Sequence, residues 1–88
     1  MKCIISRREI IIKEVVDQWI VQRILENLNP LLLTKGYGPR YYFEGSPVIA
    51  NGGMILTIRL SKDLLQEDKN FIKRYMETWG FKVQVVES

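Results

Sequence analysis

The residues with most chemistry to offer lie at positions 35–42. Lys35, Tyr37, Arg40, Tyr41 and Tyr42 put two cations and three tyrosines into a short stretch. Aromatic rings stack on nucleobases and cations hold phosphates, so such a stretch suits single-stranded or structured nucleic acid. The same tyrosines can instead pack a loop onto its domain or fill a protein interface, because each carries an apolar ring and a polar tip. Arg59, further along the chain, is read as a cation serving the same ligand.

Other chemistries lack their residues. The chain has no histidine and one cysteine, Cys3. That removes the commonest general base, any Cys–His pair, an internal disulfide and a cysteine cluster for zinc. Cys3 is read as a small buried residue of the first strand. Glu14/Asp17 and Glu67/Asp68 are read as surface charge. Gly36-x-Gly38 is not followed by a helix start, so it is no phosphate loop. The expectation is therefore a protein that is not an enzyme, with no cofactor and no metal.

Composition bounds the rest. The 88 residues carry a formal charge of +3, with 47% hydrophobic and 26% charged residues, the balance of one ordinary globular domain spanning 1–88. A +3 charge is compatible with a polyanion without demanding one. No apolar run is long enough for a membrane span, and the apolar start is too short for a signal peptide, so the expected location is cytoplasmic and no membrane partner is expected.

The elements that would hold these residues follow from periodicity. Met54, Leu56, Ile58 and Leu60 alternate with Ile55, Thr57 and Arg59, the period of a strand with one buried face. Asn51-Gly52 suits a type I′ turn before it. That turn would set Phe43 opposite Leu60, Glu44 opposite Arg59 as an ion pair, Gly45 opposite Ile58, Ser46 opposite Thr57, Pro47 opposite Leu56, Val48 opposite Ile55, Ile49 opposite Met54 and Ala50 opposite Gly53. Pro47 would make its strand an edge.

Residues 2–6 read as a first strand. Ser6-Arg7-Arg8-Glu9 has the form of a capping box, opening a helix to about Leu28 that stops at Asn29-Pro30. Its apolar stripe changes side near Trp19–Val21. A kink, a strand through Ile12 with the helix starting later, or a helix covered on both sides would each explain that. A cover on both sides leaves Ile20, Ile24 and Leu28 for a dimer interface. Residues 31–34 read as a short extended piece or a segment under the loop.

A second helix, capped by Ser61 or Asp63, would bury Leu64, Leu65, Phe71, Ile72, Tyr75, Met76 and Trp79 and present Gln66, Lys69, Asn70, Lys73, Arg74 and Glu77 to solvent. Gly80 would end it, and residues 81–86 form the last strand with Phe81, Val83 and Val85 inward. The order βαββαβ predicts an α+β fold, a two-layer ferredoxin-like arrangement with a four-stranded antiparallel sheet and two helices on one face.

Lys35, Gly36, Tyr37, Gly38 and Tyr42 match the RNA-recognition-motif octapeptide, K/R-G-F/Y-G/A-F-V-x-F/Y. The chain resembles that family over these eight residues and departs from it at Pro39 and Arg40, where an aromatic and a valine stand in the motif. The motif sits in the family's third strand, whereas this stretch precedes the second.

These readings converge on a small non-enzymatic binding domain that holds nucleic acid through Lys35, Tyr37, Arg40, Tyr42 and Arg59. The alternative is a homodimeric protein-interaction module, a small inhibitor or adaptor of viral or mobile-element type, joined through Ile20, Ile24 and Leu28 and docking a protein partner.

Overall fold

The computed structural model describes residues 1–15, 17–45 and 53–86. Among these, the strands are β1 (Lys2–Ile5), β2 (Glu9–Val15), β3 (Arg40–Gly45), β4 (Met54–Arg59) and β5 (Lys82–Val85), and the helices are α1 (Gln18–Thr34) and α2 (Gln66–Thr78). The strands form one sheet in the order β3-β4-β2-β1-β5. Its neighbours are antiparallel except β1 and β5, which run parallel. The α+β class is as expected. The four-stranded antiparallel sheet is corrected to a five-stranded mixed one.

The cause lies at Ser6-Arg7-Arg8-Glu9. These residues turn a β-hairpin, with the Ser6 amide donating to Glu9 O at 2.9 Å. The β-branched run Ile10-Ile11-Ile12 then continues as strand, which suits it better than a helix interior. Ile10 and Ile12 are buried, and Ile11 faces the other side. The apparent change of side in the first helix is a change of period, from 2 in β2 to 3.6 in α1. Because β1 occupies the place beside β2, the last strand joins β1 instead and runs parallel to it.

Helix α1 starts where Asp17 accepts a hydrogen bond from the Trp19 amide at 2.9 Å, an N-cap. It does not stop at Asn29-Pro30. Pro30 lies inside it, leaving the Glu26 carbonyl without its helical donor. Leu28 and Leu32, on either side of Pro30, are wholly buried, and that packing carries the helix onward to Thr34. Residues 31–34 are thus its last turn.

Gly36, at φ +76°, ends the helix. The Gly36 amide donates to Leu33 O at 3.1 Å and the Tyr37 amide to Leu32 O at 2.9 Å, the two bonds of a Schellman stop.

One face of the sheet carries Cys3, Ile5, Ile10, Ile12, Leu56 and Ile58, all fully buried under the helices. Val21, Ile24, Leu28 and Leu32 of α1 and Ile72 and Met76 of α2 complete this core. Ile24 and Leu28 therefore have a home in their own chain, and Ile20 packs partly against the same cluster. The reason for assigning these three to a dimer interface falls with that. Of the expected apolar stripe, Ile72 and Met76 of α2 and Leu64 just before it are buried, while Leu65 and Phe71 are more than half exposed. Asp68 and Lys69, expected at the surface, are buried.

The β3–β4 register differs from expectation by four residues. Arg40 faces Arg59, Tyr42 faces Thr57, Phe43 faces Leu56 and Glu44 faces Ile55. An even shift keeps every side chain on its expected face, so Phe43 still points to the helix side and Tyr42 to the open side. Glu44–Arg59 is lost as a pair, and Arg59 bonds Glu9 at 3.2 Å instead. Ser46, Pro47, Val48, Ile49, Ala50, Asn51 and Gly52, including the expected turn, lie outside the described residues.

Gly53 sits at φ +81° against the bulge in β2, and a Cβ there would meet Val15 O at 2.9 Å and the Glu14 carbonyl carbon at 3.0 Å. Gly36→Ala meets only the Lys62 ammonium at 3.5 Å. Both substitutions carry the left-handed penalty of ~1–2 kcal/mol. Gly53→Ala adds a backbone collision, so its melting temperature should fall clearly further than that of Gly36→Ala. Equal losses would show that the β2–β4 approach is looser than described.

Candidate functional site

The loop of the basic and aromatic stretch is built around a buried carboxylate. Asp68, at the start of α2, is 3% exposed. It accepts from the Tyr37 hydroxyl at 2.5 Å and from Lys35 Nζ at 2.6 Å. The Tyr37 oxygen in turn accepts from the Leu65 amide at 3.1 Å, and the Tyr37 carbonyl from the Ser61 amide at 2.7 Å. Burial pushes the Asp68 carboxyl up, but the hydrogen bonds from Lys35 and Tyr37 and the Lys35 charge outweigh it and hold Asp68 below its ordinary value. Burial, then the bond to Asp68, raises the Tyr37 phenol.

Tyr37 is 1% exposed, so it cannot stack on a ligand. Lys35 is committed to Asp68. In this structure Tyr37 is a buried part of the fold, and Lys35 bonds the same buried carboxylate.

The remaining expected site residues do come together. Arg40 and Arg59 are directly opposed on β3 and β4, and Arg59 lies over the Tyr42 ring, 5.3 Å from its centroid. With Arg8, Gly38, Leu60 and Ser61 they line a cleft of about 510 Å³. Arg8 comes from the β1–β2 turn, which is tied down by the Leu60 amide on Arg8 O and the Leu64 amide on Arg7 O, both at 2.8 Å. Arg8 Nε bonds Asp63 at 2.6 Å, and Arg59 bonds Glu9. The bond from Arg8, helped by the charges of Arg7 and Arg8, holds the Asp63 carboxyl below its ordinary value. Arg40 has no ion pair among the described residues.

The cleft opens onto the face of the sheet that neither α1 nor α2 covers. The strand registers place Tyr42, Thr57, Ile11, Ile4 and Gln84 in one row across all five strands. Ile4, Ile11 and Thr57 are half-buried, while Tyr42 is 44% exposed. Beyond that row, Lys82, Lys2 and Lys13 stand side by side on β5, β1 and β2, with Glu14 3.7 Å from Lys2. Sequence reading missed Arg8, Lys2, Lys13, Ile4 and Ile11 because it treated β2 as helix. The β-branched run Ile10-Ile11-Ile12 was the signal.

A larger groove of about 630 Å³ runs between α1 and the β3–β4 pair, lined by Val21, Leu25, Phe43 and Met54 among others, with no titratable side chain. Among the described residues no three metal-ligating side chains converge, and no helix is long and apolar enough to cross a membrane. Cys3 is buried, which pushes its thiol up to about 12.

Comparisons with protein-family models, curated proteins and solved structures each found no match.

Tyr37→Phe should cost ~1–3 kcal/mol of stability, since it strips a donor from a buried carboxylate and an acceptor from the Leu65 amide. Asp68→Asn should cost a similar amount at neutral pH. Because the folded-state value of Asp68 is depressed, its contribution is present above the ordinary carboxylate range of about pH 4 and is lost as pH falls through the folded value. Thermal melts of wild type and Asp68→Asn should therefore differ most at neutral pH and converge in acid. A gap independent of pH would refute the charged network.

Proposed function

We propose that the chain is a non-enzymatic binding domain that takes a single-stranded nucleic acid across the open face of its sheet. The observation that carries this reading is the Arg40–Arg59 pair with Tyr42 beside it. Like charges directly opposite one another destabilise a strand pair. Two arginines held so, with Arg59 over an exposed aromatic ring, fit a surface that meets an anion. Tyr42 offers a face for stacking, and the half-buried Ile4–Ile11–Thr57 row offers apolar ground for neighbouring bases. Arg8, Arg40 and Arg59 at one end, and Lys2, Lys13 and Lys82 at the other, offer contacts to phosphates.

Lys35 and Tyr37 drop out of this reading, which differs here from what the octapeptide resemblance implied. Their Lys-Gly-Tyr sequence serves as a helix stop and an anchor on Asp68. The site consists of Arg8, Arg40, Tyr42 and Arg59, with the lysine row as its extension.

Binding of a fluorescent single-stranded oligonucleotide should weaken with salt. If about three phosphates are neutralised, log affinity should fall against log salt with a slope of about −2. Tyr42→Ala should cost ~1–3 kcal/mol of binding with little change in melting temperature. Arg40→Ala should flatten the slope and leave the fold intact, while Lys35→Ala leaves the slope unchanged. No binding at low salt, or binding indifferent to Arg40 and Tyr42, would end this reading.

A further inference from the structure

Strand β3 is an edge strand, and among the described residues nothing bonds to its outer side. Uncovered edges are templates for pairing with another chain, and proteins commonly blunt them with lysines or prolines. The opposite edge, β5, is only four residues long and carries Lys82. Along β3, Arg40-Tyr41-Tyr42-Phe43-Glu44 has no lysine or proline, and its two charges, Arg40 and Glu44, are opposite in sign and can pair across a dyad instead of repelling. It also exposes two large rings, with Phe43 at 54% and Tyr42 at 44%.

That strand is complementary to itself. When two copies run antiparallel about Tyr42, Arg40 of each stands opposite Glu44 of the other, Tyr41 opposite Phe43, and Tyr42 opposite Tyr42. Every pair joins positions of the same parity, as an antiparallel ladder requires, since opposed residues share one face and one hydrogen-bonding side. Shifting the dyad to Tyr41 or Phe43 destroys the charge match. We infer that β3 is a homodimer interface, in which two copies join edge to edge through Arg40–Glu44 pairs flanking a Tyr42–Tyr42 contact.

The geometry follows from the dyad. An isologous antiparallel pairing has its two-fold axis perpendicular to the sheet. The sheet then runs continuously through both copies, with all helices on one side and both open faces on the other. Glu44 would relieve the Arg40–Arg59 repulsion by bonding one edge of the guanidinium, whose five donors leave another edge for a phosphate. The interface does not rest on the nucleic-acid reading and is tested without any ligand. An interface of one strand per copy is small, so the dimer should be weak, with a dissociation constant on the order of 100 μM.

Charge reversal tests it. Sedimentation of the wild-type chain up to roughly 500 μM should show a monomer–dimer equilibrium. Arg40→Glu and Glu44→Arg should each weaken it by on the order of tenfold, because each change places two like-charge pairs across the dyad. Neither threatens the fold, since Arg40→Glu sets an acid opposite Arg59 and Glu44 is exposed opposite Ile55. The double variant should restore the dimer. Under oxidation, Tyr42→Cys should form a covalent dimer readily and Phe43→Cys should not, the native Cys3 being buried. A monomer throughout, single reversals without effect, or a double variant that stays monomeric would each overturn the interface.

Discussion

Asp68 is the interaction on which the arrangement depends. Its carboxylate is buried at the start of α2 and receives both Tyr37 and Lys35 from the segment that follows α1. An ionised carboxylate taken from water costs several kcal/mol unless charged and hydrogen-bonded partners replace the lost hydration. Those partners are present, so the loop is fastened to α2 where the chain leaves α1 and approaches β3. Lys62, whose ammonium lies 5.0 Å from the Tyr37 ring centroid, adds a cation to the same place. With Tyr37 turned inward, β3 begins at Arg40 with its alternation set: Tyr41 toward the helices, where its hydroxyl bonds Asn29, and Tyr42 toward the open face.

The open face is a consequence of layering. Both helices cover one side of the sheet, and the other side keeps a half-buried apolar row between groups of cations. On a surface built for stability alone, opposed positions would carry opposite charges. Here Lys2 faces both Lys13 and Lys82, and Arg40 faces Arg59. Glu14 and Glu9 offset part of that repulsion. The residual positive field suits an anionic ligand.

What was legible in the sequence was periodicity. The alternation of residues 54–60 announced β4 and its buried face, and the stripe through Leu64, Ile72 and Met76 announced α2. Gly80 marked its end. The strand that was missed carried two valid local signals at once, since Ser-x-x-Glu is both a capping box and a serviceable hairpin turn. Pairing with β1 and β4 decided between them, and such pairing is invisible in a short window. The hairpin register was wrong by four residues yet right in parity, because alternation settles faces and not offsets. Tyr37 was misplaced for a different reason. Its burial depends on Asp68, far along the chain, and nothing near Tyr37 reports that carboxylate. Ile24 and Leu28 were assigned to a partner only because the start of α1 had been placed too early.

The central claim is that the Arg8, Arg40, Tyr42 and Arg59 cleft and the adjoining sheet face form the binding surface. Backbone amide shifts of isotope-labelled protein, followed while a short single-stranded oligonucleotide is added at low salt, test it most directly. The account predicts shifts concentrated at residues 8–11, 40–42 and 57–59 and extending to Ile4, with Lys35, Tyr37 and the outer faces of α1 and α2 unmoved. Shifts centred on the helices or on the Lys35–Tyr37 loop, or no shifts at all, would contradict it.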